Sequence, residues 1–323
     1  VVKTITRYHA VRAAAATFVL AAARPAALLA QQRTAIHVAT IPIDVASQAL
    51  YAKDQGFFAD AGLDADITLM NSGPAIAAAV SGGSIDFGAA NIVSLATAHE
   101  RGLNYVAVAP GGAYTSTQPT SKLVVAKDSA IKTARDLSGK TIAVNALNSI
   151  DSVGVAAWLD HNGGGDATAA KFIEIPYPQM GAAVAAGRVD AAEIDEPFVG
   201  DALVANALRV IGLPLDAVAN RFVQGAFFTT SSYAQAHPEI VRAFADAMAK
   251  AAVWANAHPD ASAKILAKYS QKPLASGAAR TYFPPRFVRS EAQPLIDAAA
   301  KYGALKSAFP LSDLFAPGIT YAS

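Results

Sequence analysis

The chain has 323 residues, 53% of them hydrophobic and 16% charged, with a formal net charge of +1 and no cysteine. This balance predicts a folded body large enough for two domains and excludes long disorder. It also excludes disulfides, thiolate metal sites and thiol nucleophiles.

Lys3, Arg7 and Arg12 precede an apolar run over 13–23 and the small residues Ala26, Ala27 and Ala30. That order predicts an export signal over 1–30, cut near Ala30, and so a periplasmic protein. Losing Lys3, Arg7, Arg12 and Arg24 with it turns the formal charge from +1 to −3. A mildly acidic chain without a basic run points away from nucleic acid. No later run reaches the ~20 apolar residues of a membrane span.

A strand is predicted over 36–41, stopped by Pro42, then a helix over 47–55 closed by Gly56. A strand over 65–70, a helix opened by Gly73-Pro74 and a strand over 85–88 follow. Asn91 caps the next helix, which leads to a strand over 105–109. The pattern restarts with strands over 122–126, 141–144, 171–175, 189–194 and 208–211, and helices over 152–161 and 179–186 and from Glu196-Pro197. Strands alternating with helices predict an α/β fold with mostly parallel sheets and flanking helices. An extended stretch over 222–230 returns the chain. Helices then start at His237-Pro238 and His258-Pro259, and a last one covers 291–302.

One phrase occurs twice: AAVSGGSIDFG at 78–88 and AAVAAGRVDAA at 182–192. In each, a glycine (Gly83 or Gly187) ends a helix in the left-handed region, and an Asp (Asp86 or Asp190) opens the next strand. Pro74 and Pro178 stand at the same offset ahead of their helices. The repeat predicts two similar lobes: lobe 1 over 34–117, lobe 2 over 118–225, and completion of lobe 1 over 226–323. The hinges fall near 116–122 and 222–230, with a ligand cleft between the lobes.

These residues resemble a family. Leu50 to Phe58 (LYAKDQGFF), Ala61-Gly62-Leu63-Asp64, Ser81 to Gly88, Ile131 to Ile142, Pro178-Gln179-Met180, Ala186 to Ala192 and Glu196-Pro197-Phe198 occur in the order seen in ABC-transporter solute-binding proteins. The group meant includes aliphatic sulfonate, taurine, nitrate and thiamine-pyrimidine binders. The resemblance implies a two-lobed periplasmic-binding-protein fold of type II. It also implies a monomer that closes on a small-molecule solute and docks on an ABC permease. A ligand-sensing subunit of a signalling system is the alternative within that class. Pyrimidine-synthesising enzymes on the same fold are the other, but the resemblance ties their activity to a cysteine-rich iron-associated motif that this chain lacks.

Nothing in the chain reads as catalytic: H-E-x-x-H, G-x-S-x-G and G-x-x-x-x-G-K-[ST] are absent, and no cofactor is expected. A binding site needs free N–H groups, a few polar side chains and apolar walls. Asn71-Ser72-Gly73, Asn91 and the stretch Asn148, Ser149, Ile150, Asp151 each precede or open a helix, as caps, ligand contacts or both. Ile43 and Asp44 follow the first strand, where Asp44 either meets ligand or caps a helix. Tyr177 and Gln179 follow a second-lobe strand, Tyr177 as packing or stacking wall. Glu196 follows another and either meets ligand or stabilises its helix. With Asp44, Asp151 and Glu196 but no Lys or Arg, these loops point to a solute bearing N–H groups, such as a taurine-like zwitterion or an aminopyrimidine.

Overall fold

The computed structural model describes residues 33–164 and 170–322, so the expected export signal lies outside the described residues. Among these, no helix is long and apolar enough to cross a membrane. The strands are β1 (Thr34–Thr40), β2 (Leu63–Leu69), β3 (Phe87–Asn91), β4 (Tyr105–Pro110), β5 (Ala113–Thr115), β6 (Ser121–Ala126), β7 (Thr141–Val144), β8 (Lys171–Glu174), β9 (Ala191–Asp195), β10 (Leu208–Gly212), β11 (Arg221–Val223) and β12 (Gly225–Thr230).

They build two five-stranded sheets of matching plan, β2-β1-β3-β12-β4 and β8-β7-β9-β6-β10, with β5 and β11 paired separately. In each sheet three neighbouring strands, joined by helices, pair parallel with one another. The fourth and fifth pair antiparallel. Four of the five strands in each sheet thus run in one direction, as the sequence pattern predicted, and β12 or β6 runs against them. The reason is the chain crossing: β6 and β12 enter their sheets straight from the segments that connect the lobes, with no βαβ crossover to make them parallel.

The repeated phrase has a single structural meaning. Gly83 and Gly187 take φ of 74° and 68° at the ends of their helices. Asp86 Oδ2 accepts from the backbone N–H of His37 at 2.7 Å, and Asp190 Oδ2 from that of Thr141 at 2.8 Å. Each aspartate returns its own N–H to the carbonyl of that same residue, at 2.9 Å in both lobes. The two acids pin the start of one strand to the start of the next, which is why neither faces the cleft.

The helix Pro238–Ala257 shows how packing completes lobe 1. Proline at its first position loses no hydrogen bond. Val241, Phe244, Ala247, Met248, Ala251, Ala252 and Ala255 recur at spacings of three and four and are all buried. Phe244 stacks on Phe87 of β3 at 4.0 Å between ring centres and on Phe58 at 5.4 Å. Burying each such ring contributes roughly 1.5–3 kcal/mol. Two short helices, Phe57–Asp60 and Ser231–Ala236, went unanticipated, and the helix predicted over 291–302 breaks before Pro294. A new helix, Pro294–Lys301, starts there, because proline has no N–H to continue the ladder of the preceding turn.

Gly88 sits where β3 meets the helix Gly73–Ser81. A Cβ added there would collide with Ile76 Cγ2 and lie 2.9 Å from Phe228 Cε1. Gly88→Ala is expected to lower the unfolding free energy by about 1–3 kcal/mol through overpacking, measurable as a shift in urea midpoint at constant m-value.

Candidate functional site

The carboxyl ends of the parallel strands in both sheets face one another, which is where α/β sheets place ligands. After β1 the chain supplies Ile41 and Ile43, the end of β3 supplies Ala89, Ala90 and Asn91, and Gly73 opens a helix beside them. From the other lobe come Asn145 after β7, Ser149, Ile150 and Asp151 at a helix start, Tyr177 at another, and Asp195 at the end of β9. Gly111, Gln224 and Gly225, from the crossing segments, close the back. Together they enclose a cavity with about 60 Å³ open to the centres of water molecules. That is several times the ~10–15 Å³ one water needs, so the cavity suits a compact solute.

Contacts join the lobes around it. Asp44 N–H donates to the Glu196 carbonyl at 3.0 Å, and Asn145 Nδ2 to the Asn71 carbonyl at 3.0 Å. Lys272 pairs with Asp201 at 2.8 Å and Lys301 with Asp160 at 3.1 Å. The last two pairs are solvent-exposed and weak individually, so they allow reopening.

The electrostatics are unusual. Asp151, Glu193 and Asp195 are all buried in lobe 2, at 2%, 1% and 5% exposure. Tyr177 Oη lies 3.1 Å from Asp195 Oδ2 and 3.3 Å from both oxygens of Asp151. A phenol has one hydrogen to give, so a second short contact is favourable only if that carboxyl carries a proton. Glu193 is buried beside Asp151, and two carboxyls so placed are favourable only when they share a proton. Burial, then the neighbouring charges, pushes Glu193 and Asp195 well above the ordinary carboxyl range. Burial raises Asp151 to about 6, moderated by the Asn145 N–H that donates to its Oδ2 at 2.8 Å. Burial, then Asp151, raises the Tyr177 phenol too. Lys122 is the cation acting on Asp195, but its ammonium is bound to Glu196 Oε1 at 3.0 Å. Among the described residues lining the cavity there is no Lys, Arg or His.

Two lining side chains keep unpaired polar atoms. Asp195 Oδ1 and Gln224 Nε2 are buried and have no hydrogen-bond partner among the described residues. The first accepts and the second donates.

Of the residues singled out from sequence, Ile43, Gly73, Asn91, Ser149, Asp151 and Tyr177 come together at the cavity. Asn91 also caps its helix, Oδ1 accepting from Ser94 N–H at 2.9 Å, while Ser149 Oγ donates to the Ala146 carbonyl at 2.6 Å. The others fall outside the lining. Asp44 is turned away, accepting from Arg280 and from Thr281 N–H. Asn71 and Ser72 contribute backbone beside the cavity rather than a lining side chain. Asn148, at φ 49°, borders a separate surface groove, and Gln179 is exposed. Glu196 is committed to Lys122 and to Gly200 N–H at 3.1 Å.

Asn145, Glu193, Asp195 and Gln224 were missed. The usable signal was position: Asp195 is the last residue of β9, at the carboxyl end, one residue before the Glu196 chosen instead. Alternation along the strand puts Glu193 and Asp195 on one side.

The comparisons with known proteins fit this geometry. The alkanesulfonate-binding protein SsuA from Xanthomonas axonopodis pv. citri, solved with MOPS, matches over 90% of this chain and 99% of its own, at 20% identity and TM-score 0.69. The periplasmic nitrate-binding protein NrtA from Synechocystis PCC 6803 matches over 87% and 85%, at 15% identity and TM-score 0.70. The desulfurization enzyme DSZB shares the fold at 18% identity over 88% of this chain and 97% of its own, with TM-score 0.64. At these identities the likeness shows the fold, the two-lobed periplasmic-binding-protein architecture, and that fold serves both binders and an enzyme. A search of curated proteins found no match. The model of the NMT1/THI5-like family matches residues 46–262, well over half of the sequence, and the chain belongs to that family.

Proposed function

We propose that the chain is an exported, monomeric solute-binding protein that closes two lobes on one small organic solute and presents it to an ABC-type importer in the membrane. The observation that carries this reading is the cavity itself: both lobes and both crossing segments line it, so a bound solute bridges them. Such a solute stabilises the closed form through contacts that the open form cannot make. The family and the binding proteins among its structural neighbours support the same role. An enzymatic role has less support, because binding proteins such as SsuA and NrtA are among the structural neighbours, though DSZB shows that the fold also serves an enzyme. Of the solutes left open by sequence, the cavity's acids favour one that offers N–H groups over a plain sulfonate or nitrate.

Native mass spectrometry of protein purified from the producing cells tests the reading. A mass excess of one small organic molecule, lost on denaturation, is expected. Gln224→Ala is expected to weaken affinity for the carried solute at least tenfold, about 1.4 kcal/mol, as the solute loses a buried donor. No carried mass, together with no stabilisation by any amine, pyrimidine, sulfonate or nitrate in a thermal-shift panel, would overturn it.

A further inference from the structure

We propose that the cavity selects an organic cation, a compact amine or amidine protonated at neutral pH, and that this cation replaces a proton held by the carboxyl group of Asp195. The inference rests on the reading of the cleft as a solute site and adds the charge of the solute and the exchange that accompanies its entry.

Four observations carry it. Asp195 lines the cavity, and its Oδ1 is buried and lacks a partner, so the residue has an acceptor to offer an N–H⁺ group. Gln224 Nε2 across the cavity has a donor for an acceptor atom on the same solute, and Ile41, Ile43 and Phe227 supply apolar walls. An anion would find no side-chain cation there. Two of the four helix N-termini at the cavity are already served by side chains, one by Asn91 and the other by the capping box of Ser149 and Ser152 beside Asp151. Finally, the three carboxyls form no metal-binding set among the described residues, which leaves an organic cation rather than a metal ion.

The groups facing Asp195 decide the proton balance. Its own strand, β9, contributes Glu193, and the chain just after it Glu196. The helix Ile150–His161 brings Asp151, the helix Tyr177–Ala185 brings Tyr177, and β6 brings Lys122, already bound to Glu196. Lobe 1 and the crossing segments present only the uncharged Asn91 and Gln224 as side-chain polar groups. One shared lysine cannot neutralise four carboxylates out of water, so the cluster holds protons. When the cation enters, Asp195 gives its proton to the buffer and becomes the counter-ion. One positive charge enters and one leaves, and the charge of the cavity stays constant. Affinity should then rise about tenfold per pH unit while Asp195 is protonated in the free protein.

The test is a thermal-shift panel at pH 6 and pH 8. It uses methylammonium, guanidinium, acetamidinium and benzamidinium chlorides, the neutral isosteres acetamide and benzamide, and sodium ethanesulfonate and nitrate. At least one cation is expected to raise Tm, more at pH 8 than at pH 6, with its neutral isostere weaker and both anions inert. Asp195→Asn is expected to abolish the pH dependence. Should that variant fail to fold, calorimetry of the wild-type protein in two buffers of different ionisation enthalpy should count about one proton released per cation bound. Stabilisation by the anions or by the amides alone, or cation binding without proton release, overturns the assignment and leaves the solute-binding reading intact. Stabilisation by no compound overturns the cation assignment, and if the native mass spectrum also shows no carried solute, the solute-binding reading falls with it.

Discussion

Asp44→Ala is expected to destabilise the folded protein by about 3–5 kcal/mol, the cost of leaving one member of a buried ion pair without the other. Asp44 is 1% exposed, and its carboxylate accepts from Arg280 Nη2 at 2.9 Å, Arg280 Nε at 3.1 Å and Thr281 N–H at 2.7 Å. The Tyr51 hydroxyl lies 3.4 Å away. Removal strands the Arg280 guanidinium, 19% exposed, with only the Pro259 carbonyl, the Ser262 hydroxyl and Tyr51 for partners. It also frees a buried backbone N–H. Asp44→Asn keeps an oxygen for Thr281 and should cost less. Urea unfolding followed by circular dichroism checks both variants. The sequence reading left Asp44 as a ligand contact or a helix cap, and the structure makes it the buried partner of Arg280 instead. A loss within the ~0.5 kcal/mol usual for surface substitutions, with weakened solute binding, would return Asp44 to the ligand.

The pairing of Asp44 with Arg280 shows where sequence stops being informative. Local features were legible because local physics makes them: Asn91 as a cap, Pro238 and Pro259 as helix starts, Gly83 and Gly187 as left-handed stops. The repeated Gly-to-Asp spacing carried tertiary information as well, since in both lobes the aspartate accepts from a backbone N–H 49 residues earlier. Arg280 was invisible as the partner of Asp44 because 236 residues separate them and no periodicity links them. The cavity's most important acids were hidden for another reason. A Glu and an Asp in a five-residue strand read as solvent-facing unless burial with retained protons is considered. The one antiparallel strand in each sheet shares that origin: whether a strand enters from a crossover or from a hinge is a property of the whole chain path.

Stability is expected to fall as pH rises from 5 to 8, opposite to ordinary acid denaturation. A carboxyl in the unfolded chain titrates near ~4. In the folded protein Asp151 titrates at about 6, and Glu193 and Asp195 well above the ordinary range, so between these values the folded state binds more protons than the unfolded one. Raised folded values give stability that is complete below the unfolded value and is lost as pH passes through the folded ones. Each excess proton contributes a slope of about 1.4 kcal/mol per pH unit for as long as the folded state retains it. Asp136 and Asp160 do not compensate. Backbone N–H groups, Lys132 first, hold the one carboxyl below its usual range, and the Tyr302 hydroxyl holds the other, so both act at pH values below this window. Urea unfolding at pH 5, 6.5 and 8 measures the slope directly. Glu193→Gln, whose amide donates a hydrogen without being able to ionise, should flatten the slope and leave the variant more stable than the parent at pH 8. A parent protein whose stability rises across this range would mean that the three carboxyls are ionised in the folded state. Asp195 would then have no proton to exchange for a cation.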